Sequence, residues 1–178
     1  MADETEEEKN DKSPGIGMRM SISMISKKFS KVNNISTSTL DKWIKKKEKD
    51  VVLLDCRPEE EYAVSHIPDA IRVDYNGNPQ DILPKIPEKE SSKRALVCYC
   101  SAGFRSSLVV DKLQEYFKQN GAEVGQPFEM YNLEGSLFKW ANEGRDMVNV
   151  NNEKTPYAHP FNAVYGKLLE SRLRKSHM

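Results

Sequence analysis

Two short apolar runs, Val51–Leu54 and Ala95–Tyr99, constrain the fold of this chain most strongly. Each run is continuous rather than alternating, which is the pattern of a strand buried on both faces, and such strands are usually parallel. Segments with helical periodicity follow both runs, so strands and helices alternate along the chain. Parallel strands joined by helices form βαβ units with right-handed crossovers. The sequence therefore predicts an α/β fold, a parallel sheet with helices on both faces.

The remaining elements are predicted from caps, apolar spacing and turn residues. They are a short strand within Phe29–Ile35, a helix over Leu40–Lys47, a short helix opened by Pro58, a strand over Ala70–Val73, a loop over 74–93, a helix over Arg105–Gln119, a strand over Phe128–Tyr131 and a helix that begins over Leu137–Asn142.

Composition excludes several classes of protein. Lys+Arg and Asp+Glu both total 27 in 178 residues, so the net charge is zero. Nucleic-acid binding by bulk charge needs a basic surplus, so we expect no nucleic-acid partner. No apolar run approaches the ~18 residues of a membrane span, so we expect no membrane partner. Three cysteines and three scattered histidines show neither a disulfide framework nor a four-ligand zinc spacing, so no metal is expected.

Charge and periodicity divide the chain into three parts. Residues 1–8 hold five acids and no base, and this composition predicts a disordered acidic tail over 1–20. The tail lacks the features of a signal or transit peptide, so a cytoplasmic location is expected. The folded domain is predicted over 28–148. Residues 149–178 form an extension whose apolar residues recur at helical spacing, which predicts an accessory C-terminal amphipathic helix.

The candidate site is Cys100, which lies just after a buried strand and just before a helix. Ligands bind at the carboxyl ends of the strands in open parallel sheets. A thiolate there faces free backbone N–H groups and a positive helix end, and both lower the pKa of a thiol. Gly103 permits positive φ, so the loop can turn its amides inward, and Arg105 adds a permanent charge.

Four segments, in order, resemble the rhodanese-like sulfurtransferase family. They are Leu53–Arg57, Glu61-Tyr62 with His66–Ala70, the loop Cys100–Ser106 in the pattern Cys-x-x-Gly-x-Arg-Ser, and Leu133–Ser136 with Trp140 and Gly144. Together they cover about residues 35–148. The chain departs from the family at Cys56 for Val, at Ser65 and Asp69 for Gly, and at Ser136 for a second Gly. These departures bear on packing more than on chemistry.

The resemblance implies double displacement, a form of covalent catalysis. Cys100 takes the outer sulfur of a donor, becomes a persulfide, and passes the sulfur to a nucleophilic acceptor such as a thiol. The donor is thiosulfate, mercaptopyruvate or a persulfide on a small molecule or a protein. No metal or organic cofactor is implied. The site residues are Cys100 and Arg105 as catalytic groups, Ser101, Ala102, Gly103, Phe104 and Ser106 around the substrate, and Asp55 and Arg57 as supporting groups.

Two other functions stay open. Cys-Ser-Ala-Gly also opens the phosphate loop of many tyrosine phosphatases, but those loops place five residues between Cys and Arg, and only four separate Cys100 from Arg105. The tighter ring suits a single sulfur atom better than a tetrahedral phosphate. The other alternative is a non-enzymatic scaffold that keeps the fold and uses the C-terminal helix for interaction. An intact Cys100 and Arg105 favour the enzyme.

Several other residues have mainly structural interpretations. Asp55 and Arg57 are expected to form a buried ion pair that supports the loop, and His66 to fix a turn. Cys98 is expected in the core, and Cys56 in a neighbouring strand end, where it could alternatively resolve an oxidised Cys100.

The C-terminal extension has two interpretations. Its predicted helix carries an apolar face formed by Phe161, Val164, Tyr165, Leu168 and Leu169. This face either docks on the parent domain or binds a partner, including a second copy of the chain.

Overall fold

A computed structural model describes residues 13–89, 93–120 and 127–178. This part of the chain contains five strands, six α-helices and three single 3₁₀ turns. In chain order they are α1 Ile16–Lys28, β1 Asn34–Ile35, α2 Thr37–Lys46, β2 Val51–Asp55, α3 Glu59–Val64, β3 Ile71–Arg72, α4 Pro79–Ile82, the turn Leu83–Lys85, β4 Arg94–Tyr99, α5 Phe104–Gln119, β5 Phe128–Leu133, α6 Ser136–Asn142, and the turns Tyr165–Leu168 and Ser171–Leu173.

The five strands form one sheet in the order β1-β5-β4-β2-β3, and every neighbouring pair is parallel. The central strand, β4, and its neighbour β2 contain the two apolar runs of the sequence. In their register Leu54 lies opposite Cys98 and Asp55 opposite Tyr99. Residues that follow these strands therefore meet at one edge of the sheet. The predicted α/β fold with a parallel sheet is confirmed.

Apolar clusters cover both faces of the sheet, as predicted. One combines sheet residues such as Leu53 and Val97 with the buried side of α6, including Trp140. The other combines Leu54 and Leu96 with the apolar stripe of α5. Two buried faces explain why the runs Val51–Leu54 and Ala95–Tyr99 are apolar at every position rather than at alternate positions.

The predicted disordered tail over residues 1–20 is wrong for its last five residues. Residues 1–12 lie outside the described part of the chain, but α1 begins at Ile16. The side chains of Met18 and Ile25 are buried in the core. Gly17 lies against Leu168, at a distance that leaves little room for a larger side chain. Tertiary packing therefore orders a segment whose neighbouring acidic charge suggested disorder.

The predicted C-terminal amphipathic helix is also wrong. Residues 149–178 form two 3₁₀ turns within an otherwise irregular segment. The side-chain Oδ1 of Asn162 accepts hydrogen bonds from the backbone N–H groups of Val164 and Tyr165, at 3.0 and 2.8 Å. These bonds cap a first turn, but the backbone is extended at Leu169, with φ −92° and ψ 130°, so the turn does not continue as a helix. Leu169 is buried, whereas Phe161, Val164 and Tyr165 are exposed, so the apolar spacing does not define one buried face.

Smaller differences concern the ends of elements. The strand expected within Phe29–Ile35 is limited to its last two residues, and the expected loop over 74–93 contains α4 and a 3₁₀ turn. Asn78 and Asp81 form a reciprocal capping box at the start of α4.

Within the described residues, none of the helices combines the length and the apolar character needed to cross a bilayer.

Candidate active site

The loop between β4 and α5 places Cys100 at the carboxyl edge of the sheet. Strand β4 ends at Tyr99 and α5 begins at Phe104, so four residues make the connection. Gly103 precedes the helix and has φ 115°, a backbone conformation that residues other than glycine rarely adopt. This turn directs the Gly103 N–H back towards the preceding cysteine, as the sequence predicted from the position of the glycine.

The sulfur of Cys100 is surrounded by hydrogen-bond donors. The Gly103 N–H lies 3.1 Å from Sγ and the Ser106 hydroxyl 3.5 Å, and Cys100 is 2% exposed. Burial raises the pKa of this thiol, but the charge of Arg105 and hydrogen bonds from Ser106 and Gly103 outweigh it. The net result is a pKa below the ordinary value for cysteine. Stabilisation of the thiolate by neighbouring donors and charge is what a nucleophilic cysteine requires.

A second layer of polar groups orients Ser106. Its hydroxyl donates to Oδ1 of Asn132 at 2.6 Å, the shorter of its two contacts, and Nδ2 of Asn132 donates to Oδ1 of Asn34 at 2.8 Å. Asn132 is buried in β5, next to the central strand. Nothing in the sequence distinguishes Asn132, because a single amide inside a strand pattern resembles any other strand position.

Helix α6 holds the other side of the loop. The backbone N–H groups of Leu137 and Phe138 donate to the carbonyl oxygens of Cys100 and Ser101, both at 3.0 Å. The hydroxyl of Ser136 accepts from the Cys100 N–H at 3.2 Å. Ser136, expected to affect packing only, therefore contacts the backbone of the nucleophile directly.

Arg105 is held by Glu61 of α3. Its guanidinium donates to both carboxylate oxygens of Glu61, at 2.8 and 3.0 Å, and to the hydroxyl of Ser101 at 2.8 Å. Ser101 in turn donates to Glu61 at 2.8 Å. The charge of Arg105 thus reaches Cys100 through space, while its donors fix the loop to α3. The sequence marks Glu61 only as part of the Glu61-Tyr62 segment that resembles the family.

The ion pair expected between Asp55 and Arg57 is present and has no exposed surface. Nε and Nη2 of Arg57 donate to the two carboxylate oxygens at 2.9 and 2.6 Å, and Nη2 also donates to the carbonyl of Ser65 at 2.6 Å. The pair ties the end of β2 to the segment after α3, so it supports the site without contacting the sulfur.

Comparison with known proteins identifies the fold family. The sequence profile of the rhodanese-like domain matches residues 36–143, more than half of the chain. The chain belongs to the rhodanese-like family. The matched range contains β2, the Cys100 loop, Glu61 and Ser136, so every group in the site described above except Asn34 lies within it.

The relatives of this rhodanese-like chain are distant. The thiosulfate:glutathione sulfurtransferase of Saccharomyces cerevisiae is 26% identical over 134 residues, which cover 70% of this chain and 89% of the relative. The tRNA uridine(34) hydroxylase of Salmonella heidelberg is 27% identical over 101 residues, 56% of this chain but only 26% of that enzyme.

Solved structures show the same fold. The BH2092 protein from Bacillus halodurans has a TM-score of 0.51 at 22% identity, covering 75% of this chain and 84% of that one. The thiosulfate sulfurtransferase from Pseudomonas aeruginosa has a TM-score of 0.52 at 13% identity, covering 84% of this chain and 26% of that one.

The remaining predicted residues occupy the periphery of the rhodanese-like site. Ala102 is buried. The ring of Phe104 packs edge-on against the ring of Phe29, with 5.3 Å between the ring centroids. Cys56 and Cys98 are free and fully buried, and burial raises the pKa of Cys56 well above its ordinary value. His66 forms a backbone bridge with Val148.

Across 13–89, 93–120 and 127–178, no three or more His, Cys, Asp or Glu side chains are grouped so that they could hold a metal ion.

Proposed function

We propose that this protein is a sulfurtransferase that carries sulfur as a persulfide on Cys100. The observation that carries the proposal is the donor set around Sγ, in which the Gly103 N–H lies 3.1 Å away and the charge of Arg105 lowers the thiol pKa. The similarity to a thiosulfate:glutathione sulfurtransferase supports a sulfane sulfur donor and a thiol acceptor.

The first half of the reaction loads the enzyme. The Cys100 thiolate attacks the outer sulfur of the donor, a new S–S bond forms, and the old bond to that sulfur breaks. The leaving group departs with the bonding electron pair, as sulfite when the donor is thiosulfate. The product on the enzyme is a persulfide anion, which the loop amides and Ser106 stabilise as they stabilise the thiolate.

The second half returns the enzyme to its starting state. A thiolate acceptor attacks the outer sulfur of the Cys100 persulfide, and the Cys100 thiolate leaves with the electron pair. The acceptor thereby becomes a persulfide, and the cycle needs no external oxidant or reductant. Since the site lowers the pKa of Cys100 and so favours its thiolate, loading of the enzyme needs no separate general base.

Intact mass spectrometry tests the proposal. The protein is incubated separately with thiosulfate, mercaptopyruvate and glutathione persulfide, and we expect a mass increase of one sulfur atom that a thiol acceptor removes. Cys100→Ser should take up no sulfur, because a serine hydroxyl is not ionised near neutral pH. The matched variants Cys56→Ser and Cys98→Ser should still be loaded.

Two outcomes would reject the proposal. Absence of a Cys100 persulfide with every donor would favour the scaffold function. Robust hydrolysis of an aryl phosphate that depends on Cys100 would favour a phosphatase, which we do not expect because the loop has one residue fewer than a phosphate loop.

A further inference from the structure

The C-terminal segment, residues 149–178, lies outside the range that matches the family and is anchored to the domain. Ala158, Leu169 and Leu173 are buried in the core cluster that includes α6. The Ala158 N–H donates to the carbonyl of Leu173 at 2.8 Å, and the Lys175 N–H to the carbonyl of Ala158 at 3.0 Å. These anchors fix the residues between them in position.

Between the anchors, Phe161 lies over the active-site arginine. Cζ of Arg105 is 4.1 Å from the centroid of the Phe161 ring, well within the range of a cation–π contact. Phe161 has φ 65°, which is uncommon for a residue with a bulky side chain. Its N–H donates to Nδ1 of His159 at 3.0 Å. The surrounding contacts thus hold a backbone conformation that the ring position requires.

The contacts of Arg105 leave little of it for a ligand. Three of its hydrogen bonds go to Glu61 and Ser101, and Phe161 covers it from above. The residue is only 8% exposed. The ring thus covers a charge that acts on the Cys100 sulfur, and an uncovered guanidinium would attract a negatively charged reagent more strongly.

We propose that Phe161 is a specificity-determining residue, whose ring shields Arg105 and lowers the preference of the Cys100 site for anionic over neutral reagents. Applied to sulfur donors, this inference rests on the proposed function. It predicts that the anion thiosulfate binds more tightly when the ring is removed.

The test compares two alkylating reagents that differ in charge. Iodoacetate and iodoacetamide attack the same thiolate, so the ratio of their rates at Cys100 does not depend on the thiolate fraction. The modified residue is identified by peptide mass mapping. We expect Phe161→Leu to raise the iodoacetate-to-iodoacetamide ratio by about threefold, the scale of one partly exposed charge contact.

Controls come from the same segment. Tyr157 is 40% exposed, close to the 37% of Phe161, and its ring lies 5.6 Å from Lys175 instead of contacting Arg105. Tyr157→Leu should therefore leave the ratio unchanged, and Phe161→Tyr, which keeps a ring, should resemble the wild type. If Phe161→Leu does not fold, Phe161→Asn replaces it, because Asn tolerates positive φ.

The outcomes separate the inference from the proposed function. An unchanged ratio in Phe161→Leu, or an equal rise in both rates, would overturn the inference, since the ring would then be irrelevant or a simple steric cover. Neither measurement requires sulfur transfer. A protein that forms no persulfide but shows the shifted ratio would reject the proposed function and support the role of Phe161. In an active enzyme, Phe161→Leu should also lower the KM for thiosulfate.

Discussion

Two buried arginine–carboxylate pairs lie near the carboxyl edge of the sheet and differ in what surrounds them. Asp55 and Arg57 are two residues apart, have no exposed surface, and bind the backbone of Ser65. Glu61 and Arg105 come from α3 and α5, and their neighbours are Ser101, Phe161 and the sulfur of Cys100. The Asp55–Arg57 pair thus joins two segments of the backbone, whereas the Glu61–Arg105 pair lies next to the reactive thiol.

Because their surroundings differ, we expect one pair to contribute mainly to the stability of the fold and the other to the reactivity of Cys100. Removal of one partner from a fully buried pair leaves an uncompensated charge, whereas replacement of both partners by apolar residues is often tolerated. The Asp55–Arg57 pair should therefore affect mainly folding. The Glu61–Arg105 pair should affect the ionisation of Cys100, because Arg105 lowers the pKa of that thiol.

The largest expected effect is on the first pair. Arg57→Leu should reduce the free energy of unfolding by about 3–5 kcal/mol, since Asp55 would remain charged and buried. Equilibrium unfolding in urea measures this change. The double variant Asp55→Leu with Arg57→Leu should recover part of the loss. A loss below about 1 kcal/mol for the single variant, the scale of a surface pair, would show that water reaches Asp55.

Arg105 should instead control reactivity. We expect the pKa of Cys100 to rise in the order wild type, Arg105→Lys, Arg105→Ala, because lysine keeps the charge but not the planar fork. The iodoacetamide rate at neutral pH should fall by about tenfold or more in Arg105→Ala. The loop amides and the helix end remain, so the pKa should stay below the free-thiol value of about 8.5.

A pH profile of alkylation gives these pKa values for each variant. If Arg105→Ala has the profile of the wild type, the guanidinium has only a structural role, and the two pairs do not differ in the way described above.

Sequence alone predicted the parts of the molecule that depend on local pattern. Continuous apolar runs predicted β2 and β4, and the spacing of Cys100, Gly103 and Arg105 predicted the site loop, because both signals lie within a few consecutive residues. Contacts between distant segments were not predictable. Glu61 and Arg105 are 44 positions apart, and nothing in the sequence around Phe161 indicates that it reaches the same arginine.

The failed prediction of a C-terminal helix has the same physical origin. Apolar residues at 161, 164, 165, 168 and 169 satisfy helical spacing, but the burial of Leu169 and the left-handed backbone at Phe161 serve contacts with the domain. Tertiary packing, in which Leu169 is buried with an extended backbone, overrides the periodicity there. Periodicity is a reliable guide only where one face of the segment is buried along its whole length.

The smallest expected effect is a pH dependence of stability specific to the second pair. Burial raises the pKa of Glu61, but its hydrogen bonds with Arg105 and the charges of Arg105 and Arg57 outweigh it, so the pKa lies below the ordinary value. Between the folded and unfolded pKa values the unfolded chain binds more protons, so the contribution of this group is complete above the unfolded value and is lost as pH falls through the folded value. Glu61→Gln cannot titrate. Urea midpoints measured from pH 6 down to pH 3 should therefore fall more steeply for the wild type than for Glu61→Gln. Parallel slopes would mean that the pKa of Glu61 is the same in the folded and unfolded states, and that burial cancels the effect of the two arginines.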